Sequence, residues 1–462
     1  MGRLVEQGIV HPYYSFILLI IFLLCVSYII GVVKAIVSPL SRIPGPWYAP
    51  LTTLHLNYAF ATGKIWKIVE KGHQEYGSIM RLGPRQVWVS DMEAMRTILI
   101  TADLPKVTID AFSSRRFETF TQPATMDLMD DLHSLALDIM GECSFGRGFG
   151  YTNPQKETTF GIDEKIWSGI PSAIFKGMAQ RYQMVYFKRL LRKIGVDIKF
   201  DWPDSMIAKN LGPDLLQHLI DEGEKPDSGM KMVPRDVIDQ MSEVLLAGSE
   251  TTSGTIGCFF LEVLRNPQVK ARLLEALPVL LPNDSIITSK AVRTDSQYEY
   301  LEACIKETLR LHPIASEMGR RTLNQSIELI GFSIPPHTFV CASYRDLHRN
   351  PAYWPDPLRF WPERWLQNRP PDVPPPKYVP AVRDSLTAYY PFSAGKHSCI
   401  GKNFAWAEIR MVTANLLSRF EFIEVPAQDI DYRQYITMQF ANGSWKAFLK
   451  PRYESRAEFF TI

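Results

Sequence analysis

The chain has 462 residues, 46% hydrophobic and 22% charged, which is enough to bury a large core and too apolar for a disordered chain. A formal net charge of +2, without a long basic run, gives no electrostatic footprint for nucleic acid. Six cysteines (Cys25, Cys143, Cys258, Cys304, Cys341 and Cys399) show no paired spacing and no Cys-x-x-Cys. That speaks against a disulfide framework or a zinc site and fits a reducing compartment.

In chain order, a short N-terminus (1–12) precedes an apolar segment (13–33) whose run Phe16 to Val33 holds 18 residues without a charge. A bilayer-crossing helix needs roughly 20 residues for about 30 Å. A cleaved signal would be shorter and would end in a small-residue site, which is missing here. Lys34 and Arg42 follow the segment, whereas Arg3 is offset by Glu6, so the positive-inside rule places the rest of the chain in the cytosol. Residues 34–46, ending Pro44-Gly45-Pro46, form a stiff elbow.

Ser78 to Ser90 reads as a hairpin around Gly83-Pro84, and Ile327 to Cys341 as a second sheet region broken at Gly331 and Pro335-Pro336. Leu132 to Phe145 is helix-prone, and Gly146-Arg-Gly-Phe-Gly150 after it has the wrong spacing and context for a nucleotide loop, so it reads as a helix terminator. Pro234 to Asn266 is a long helix, opened by its proline and closed before Pro267. Within it, Gly248 to Thr252 brings together residues that weaken a helix, either as a packing site or as a local opening. Tyr300 to Leu311 is a helix with Leu301, Ile305 and Leu309 on one face, and it places Glu307 and Arg310 at i, i+3, close enough to pair. The pattern is mainly α with a smaller β portion.

Cys399 ends the stretch Phe392-Ser-Ala-Gly395-Lys-His397-Ser-Cys399-Ile-Gly401, and a helix-prone run from Lys402 to Leu417 follows. A thiolate at a helix N-terminus is favoured by the free N–H donors and the macrodipole. Glycines on either side let the backbone approach a flat partner. On these residues alone, an axial haem ligand and an inert buried cysteine both stand.

Four motifs in order carry a resemblance. The cysteine loop resembles the Phe-x-x-Gly-x-Arg-x-Cys-x-Gly signature of the cytochrome P-450 family. Glu307-Thr-Leu-Arg310 resembles its Glu-x-x-Arg, Pro362-Glu-Arg364-Trp365 the source of its second arginine, and Ala247-Gly248-Ser249-Glu250-Thr251-Thr252 its oxygen-activating helix segment. The resemblance implies a haem-thiolate fold behind one N-terminal transmembrane helix, with haem b held by Cys399 as axial ligand. It implies cofactor contacts at Phe392, Gly395, His397, Gly401, Ala247 and Gly248, and at Arg320 or Arg321 for a propionate. It implies a structural triad of Glu307, Arg310 and Arg364, with Arg364 bidentate on Glu307, and proton delivery by Glu250 and Thr251. Substrate contacts fall at Ile314, Met318, Met438 and Phe440. The implied reaction inserts one atom of O2 into a lipophilic small molecule, looking most like fungal secondary metabolism. No flavin or nicotinamide domain is visible, so NADPH electrons come through a separate reductase. The implied layout is a lumenal 1–12, an anchor 13–33 in the endoplasmic reticulum membrane, the elbow, and a cytosolic catalytic body 47–462 touching membrane lipid.

Two departures stand out. His397 replaces the signature arginine, and an imidazole is only partly charged near neutrality. The family's Trp-x-x-x-Arg helix has no counterpart, since no tryptophan occurs between Trp88 and Trp167. The chain passes from Leu104-Pro-Lys106 into a polar, poorly periodic stretch, Thr108 to Asp130, as though two helices were lost. Arg115 and Arg116 are the substitutes at hand for the missing arginine. The alternative function is therefore a haem-binding or merely folded member without turnover.

Overall fold

The computed structural model describes residues 22–23, 26–102, 125–145, 223, 229–281, 284–375, 387–428, 430–435 and 437–453. The N-terminal 1–12, the start of the anchor, Arg115 and Arg116, most of Thr108 to Asp130, and Gly146 to Gly150 lie outside them.

Helix α1 (Val26–Val37) runs through Lys34 before the prolines stop it. Ser38 caps the 3-10 turn Pro39–Arg42 with its hydroxyl, and Leu40 and Ile43 sink into a core with Val87, Val89, Leu347 and Trp354. The elbow is thus docked. The Arg81 N–H donates to the Pro44 carbonyl (2.8 Å), and its buried guanidinium donates to the carbonyls of Ala35 (3.0 Å), Gly83 (3.1 Å) and Pro84 (2.7 Å). Helices α2 (Leu54–Ala61) and α3 (Ile65–Tyr76) come next.

Strands β1 (Ile79–Gly83) and β2 (Gln86–Val89) form the expected antiparallel hairpin. Helix α4 (Met92–Arg96) follows, capped by Asp91. Strand β3 (Thr125–Asp127) enters helix α5 (Leu128–Phe145), which packs along helix α6 (Pro234–Arg265). Helices α7 (Pro267–Ala276), α8 (Ser289–Thr294) and α9 (Glu299–Leu311) continue the chain. Part of α6, Glu243–Arg265, is apolar and long enough to cross a membrane, yet most of it is buried in the protein, as befits a core helix.

Strands β4 (Glu317–Arg321), β5 (Ile327–Leu329), β6 (Phe332–Ile334) and β7 (Phe339–Ser343) revise the expected second sheet region. Only β5 and β6 stand apart as a hairpin. β7 pairs parallel with β2 and antiparallel with β4, giving one four-stranded sheet of order β1-β2-β7-β4. Helix α10 (Tyr344–His348) leaves β7, and helix α11 (Lys402–Arg419) packs on α6, α8 and α9. Strand β8 (Phe420–Glu424) and β11 (Lys446–Pro451) complete a sheet with β3, while β9 (Tyr432–Gln434) and β10 (Met438–Phe440) pair with each other.

Candidate active site

Cys399 lies exposed at the amino end of α11, two residues before Gly401 at the cap. Its N–H donates to the Phe392 carbonyl (2.9 Å), while the Ser398 N–H reaches Gly395 O (3.1 Å) and the Ser393 N–H reaches Tyr390 O (3.1 Å). Gly395 has φ 72°, a left-handed conformation that favours glycine. Ser393 shares that region at φ 60° and is held there through its hydroxyl, which accepts from Arg320 Nη2 (3.3 Å) and Tyr344 Oη (2.8 Å). Gly401 is different, since its φ of −80° suits any residue and a Cβ there would meet only Cys399 Sγ, at 4.0 Å. The protein itself makes no steric demand for glycine at that point; a flat group lying on the sulfur would.

Strand alternation separates the two arginine candidates. Arg320 is buried and braces the loop, whereas Arg321 faces solvent. His397 is half-exposed within the loop, and Phe392 turns its ring toward Trp406 of α11 (centroids 6.1 Å). Among the described residues, no three His, Cys, Asp or Glu side chains gather to hold a metal ion. An iron at Cys399 therefore needs its other ligands from a prosthetic group, and a single thiolate with open space beside it fits a haem.

Glu307, Arg310 and Arg364 are fully buried. The pairing differs from the expectation, because Arg310 is the bidentate partner (Nε to Oε2 2.9 Å, Nη2 to Oε1 2.8 Å). Arg364 offers Glu307 one bond, Nε to Oε1 at 3.1 Å, and spends Nη1 on Pro355 O (3.1 Å). The i, i+3 spacing presents Arg310 side by side with the carboxylate; Arg364 comes from a 3-10 turn and reaches it through Nε alone, its Nη groups turned to backbone carbonyls. Trp361 N–H (3.0 Å) and Trp365 Nε1 (2.8 Å) complete the carboxylate's shell. Trp365 belongs to the quoted Pro-Glu-Arg-Trp motif, yet nothing in its spacing announced a donor to Glu307.

On α6 the helix passes through Gly248 to Thr252 without a break, which fits the packing-site alternative rather than a local opening. The hydroxyls of Ser249, Thr251 and Ser253 donate back to the carbonyls of Leu245 (2.7 Å), Ala247 (2.6 Å) and Ser249 (2.7 Å), which satisfies them within the helix although such back-bonding slightly weakens it. Gly248 is a packing glycine, with Met140 of α5 against the place a Cβ would take. Ala247 and Thr251 share a face at i, i+4, and Ala247 is exposed. Glu250 points elsewhere: it is buried toward Thr437 (Oγ1 to Oε2 3.4 Å), and its own carbonyl accepts from Gln439 Nε2 (2.9 Å). Burial pushes its carboxyl up to about 7, against the pull of Arg433 and of hydrogen bonds from Thr437 and Gln439.

Of the four substrate candidates, Ile314 and Met438 meet through Met438 N–H to Ile314 O (2.8 Å). Phe440 instead stacks between Tyr432 (5.5 Å) and Trp445 (6.2 Å) in the core, and Met318 lies half-buried against the four-stranded sheet's core. Thr437 and Gln439, absent from the expected site, are the residues of this strand region that hydrogen-bond to Glu250; β alternation about Met438 is the signal that points to them.

The family model described as Cytochrome P450 matches residues 106–449. A cytochrome P450 monooxygenase, acrD, of Aspergillus aculeatus is 30% identical over 490 residues, covering 91% of this chain and 94% of that protein. The monooxygenase LUC2 of a Fusarium species is 28% identical, covering 86% of each chain. Cyclooctat-9-en-7-ol 5-monooxygenase of Streptomyces melanosporofaciens is 34% identical over 46% of this chain and 43% of its own. The first alignment, 490 residues long against a chain of 462, shows that the Aspergillus relative carries internal residues without a counterpart here. With the family model spanning most of the chain and these monooxygenases aligning along it, the chain belongs to the cytochrome P-450 family and is a haem-iron monooxygenase of that family.

Proposed function

We propose that Cys399 is the axial thiolate of a haem b and that the chain oxidises a lipophilic small molecule, an intermediate of secondary metabolism, drawing electrons from an NADPH-dependent reductase. The observation that carries the reading is the exposed Cys399 thiol at the amino end of α11, in a loop braced by the buried Arg320. When bound, the haem supplies O2 activation, with thiolate ligation favouring O–O cleavage. The residues do the rest. The loop presents the Cys399 sulfur at the amino end of α11. Arg320 and His397 offer donors for the propionates. Thr251, on the open face of α6, holds a hydroxyl for proton transfer, and Glu250, buried on another face with its carboxyl near 7, is the second proton carrier of this reading. Ile314 and Met438 line the substrate side. The Streptomyces relative's name makes an unsaturated cyclic alcohol a sensible first class to screen.

The membrane reading rests on α1 and the elbow and α2 beyond it. From Ile43 to Gly63 the chain has no Asp, Glu, Lys or Arg, and Trp47 (80%), Leu54 (74%) and Tyr58 (69%) are exposed. Aromatic and aliphatic side chains beside an apolar helix suit the bilayer interface. The proposed topology is a single pass at 13–33 in the endoplasmic reticulum, 1–12 lumenal, and a docked elbow carrying the body 47–462 in the cytosol.

The test is the carbon monoxide difference spectrum of the reduced full-length protein against Cys399→Ser. A strongly red-shifted Soret band lost in the variant supports the thiolate; an unshifted band common to both refutes it. A second reading, a family member without turnover, is favoured by the absent Trp-x-x-x-Arg segment and by the internal residues missing relative to the Aspergillus relative. Reductase-supported turnover separates the two, since the second reading requires haem binding or folding without substrate-dependent NADPH consumption.

A further inference from the structure

His348 makes three contacts that bear on the cysteine loop. Its ring is fully buried, with Nδ1 at 3.2 Å from the Arg310 carbonyl and Nε2 at 2.8 Å from the Tyr390 N–H. Its own carbonyl accepts from Arg310 Nη1 (2.7 Å). A carbonyl only accepts and an amide N–H only donates, so the tautomer is determined: Nδ1 carries the proton and Nε2 is bare. Burial, with Arg310 beside it, holds the imidazole's pKa down at about 3, so the ring stays neutral across the physiological range. Tyr389 covers the ring at 5.5 Å and donates its hydroxyl to Lys306 O (3.2 Å), a second tie from the same loop to α9.

Two ends of the site meet at this imidazole. On one side, Arg310 O is a terminal carbonyl of α9 that its own helix cannot satisfy. On the other, the Tyr390 N–H opens the cysteine loop, whose next turns are Ser393 N–H to Tyr390 O and Cys399 N–H to Phe392 O. Arg310 is at the same time bidentate on Glu307. A continuous path of hydrogen bonds and covalent bonds therefore runs from the buried triad through one side chain into the loop that presents the sulfur.

We propose that His348 is the positioning residue that fixes the start of the cysteine loop against the triad helix, and so holds the Cys399 sulfur at the distance from the helix core that thiolate ligation requires. The proposal rests on the reading of Cys399 as haem ligand for its consequence, but the hydrogen-bond path exists in the protein itself. His348 is not a catalytic residue, since it acts only through Tyr390 and the loop.

Two substitutions separate positioning from bulk stability. His348→Asn keeps a donor near Nδ1 for Arg310 O but is too short to accept from Tyr390; His348→Gln is long enough to serve both. Amide exchange read by mass spectrometry on the haem-free full chain is the first measurement. The expected result is exchange about ten-fold faster in 387–399 for the Asn variant, unchanged exchange in 300–311, and near-native values for Gln. The second measurement is retention of the red-shifted carbon monoxide band on warming the haem-loaded protein, expected to shorten several-fold in Asn and to recover in Gln. Equal protection of 387–399 in wild type and Asn overturns the proposal, as does an exchange increase of the same size in both segments. If the wild type gives no red-shifted band, the ligand reading fails while the exchange result still stands or falls by itself.

Discussion

Glu307 shows how an ionised group survives full burial: five donors surround it, from Arg310 (two), Arg364, Trp361 and Trp365. Removing the charge while keeping the shape leaves two buried guanidiniums uncompensated. Glu307→Gln is therefore expected to cost about 3–5 kcal/mol in urea unfolding, and a loss under about 1 kcal/mol would contradict the triad's structural role. Two other buried carboxyls work in the opposite sense. Burial raises Glu250 to about 7 and Glu408 of α11, whose oxygens have no hydrogen-bond partner among the described residues, to about 8. A raised folded-state pKa means that the native protein keeps a proton the unfolded chain has released. Stability is then untouched below the unfolded value of 4.5 and falls as pH rises through 4.5 to about 7 and about 8 respectively. The loss is up to about 1.4 kcal/mol per pH unit and group. Glu408→Gln is expected to flatten the upper part of that decline in denaturation series at pH 5 through 9, and an unchanged slope would rule out Glu408 as its source.

At the level of elements, close approach decides where a missing side chain matters. Gly45 in the elbow lies against the backbone of Arg81 in β1, which cannot swing aside, whereas Gly248 of α6 faces the flexible end of Met140. Gly45→Ala is accordingly expected to destabilise by about 1–3 kcal/mol through overpacking. Gly248→Ala is expected to come near neutral, because about 1 kcal/mol of helix propensity offsets the shift of one methionine. Thermal melts of the two variants provide the comparison, and a reversed order would remove the elbow's docking as an explanation. The same helix carries Thr251 and Glu250 on different faces. Thr251→Ala is expected to lower product formed per NADPH consumed by roughly ten-fold or more, and Glu250→Gln to slow turnover chiefly below about pH 7, where the native carboxyl still holds the proton it would supply.

For the whole molecule, the exposed apolar side chains of α1 run on into Trp47, Leu54 and Tyr58, so the body carries an exposed apolar patch of its own beyond the proposed anchor. A chain lacking 1–33 is expected to float with lipid vesicles in part, and the triple serine variant at Trp47, Leu54 and Tyr58 to stay with the soluble fraction. Flotation of neither would confine membrane contact to the anchor, and equal flotation of both would place it elsewhere on the body. The internal residues present in the Aspergillus relative and absent here bear on the same scale, because the turnover assay asks whether the remaining scaffold suffices.

Much of this was legible in the residues because the signals are local. Pro234 and Pro267 bracket α6, Gly83-Pro84 turns the first hairpin, and the spacing from Gly395 through Cys399 to Gly401 puts a sulfur at the start of α11. The helical period likewise set Glu307 beside Arg310 before any partner from a distant segment was in view. Tertiary contacts made the choices that no local pattern contains. Strand β7 joined β2 from far along the chain, and that pairing with β4 turned Arg320 inward and Arg321 outward. Packing of α5 and of the β10 strand region gave Gly248, Glu250 and Phe440 their surroundings, and with them roles different from those their motifs suggested. Spacing along the chain dictates which side chains share a face of one element; which neighbour that face meets is set by the burial of other, distant segments, and only the folded chain brings them together.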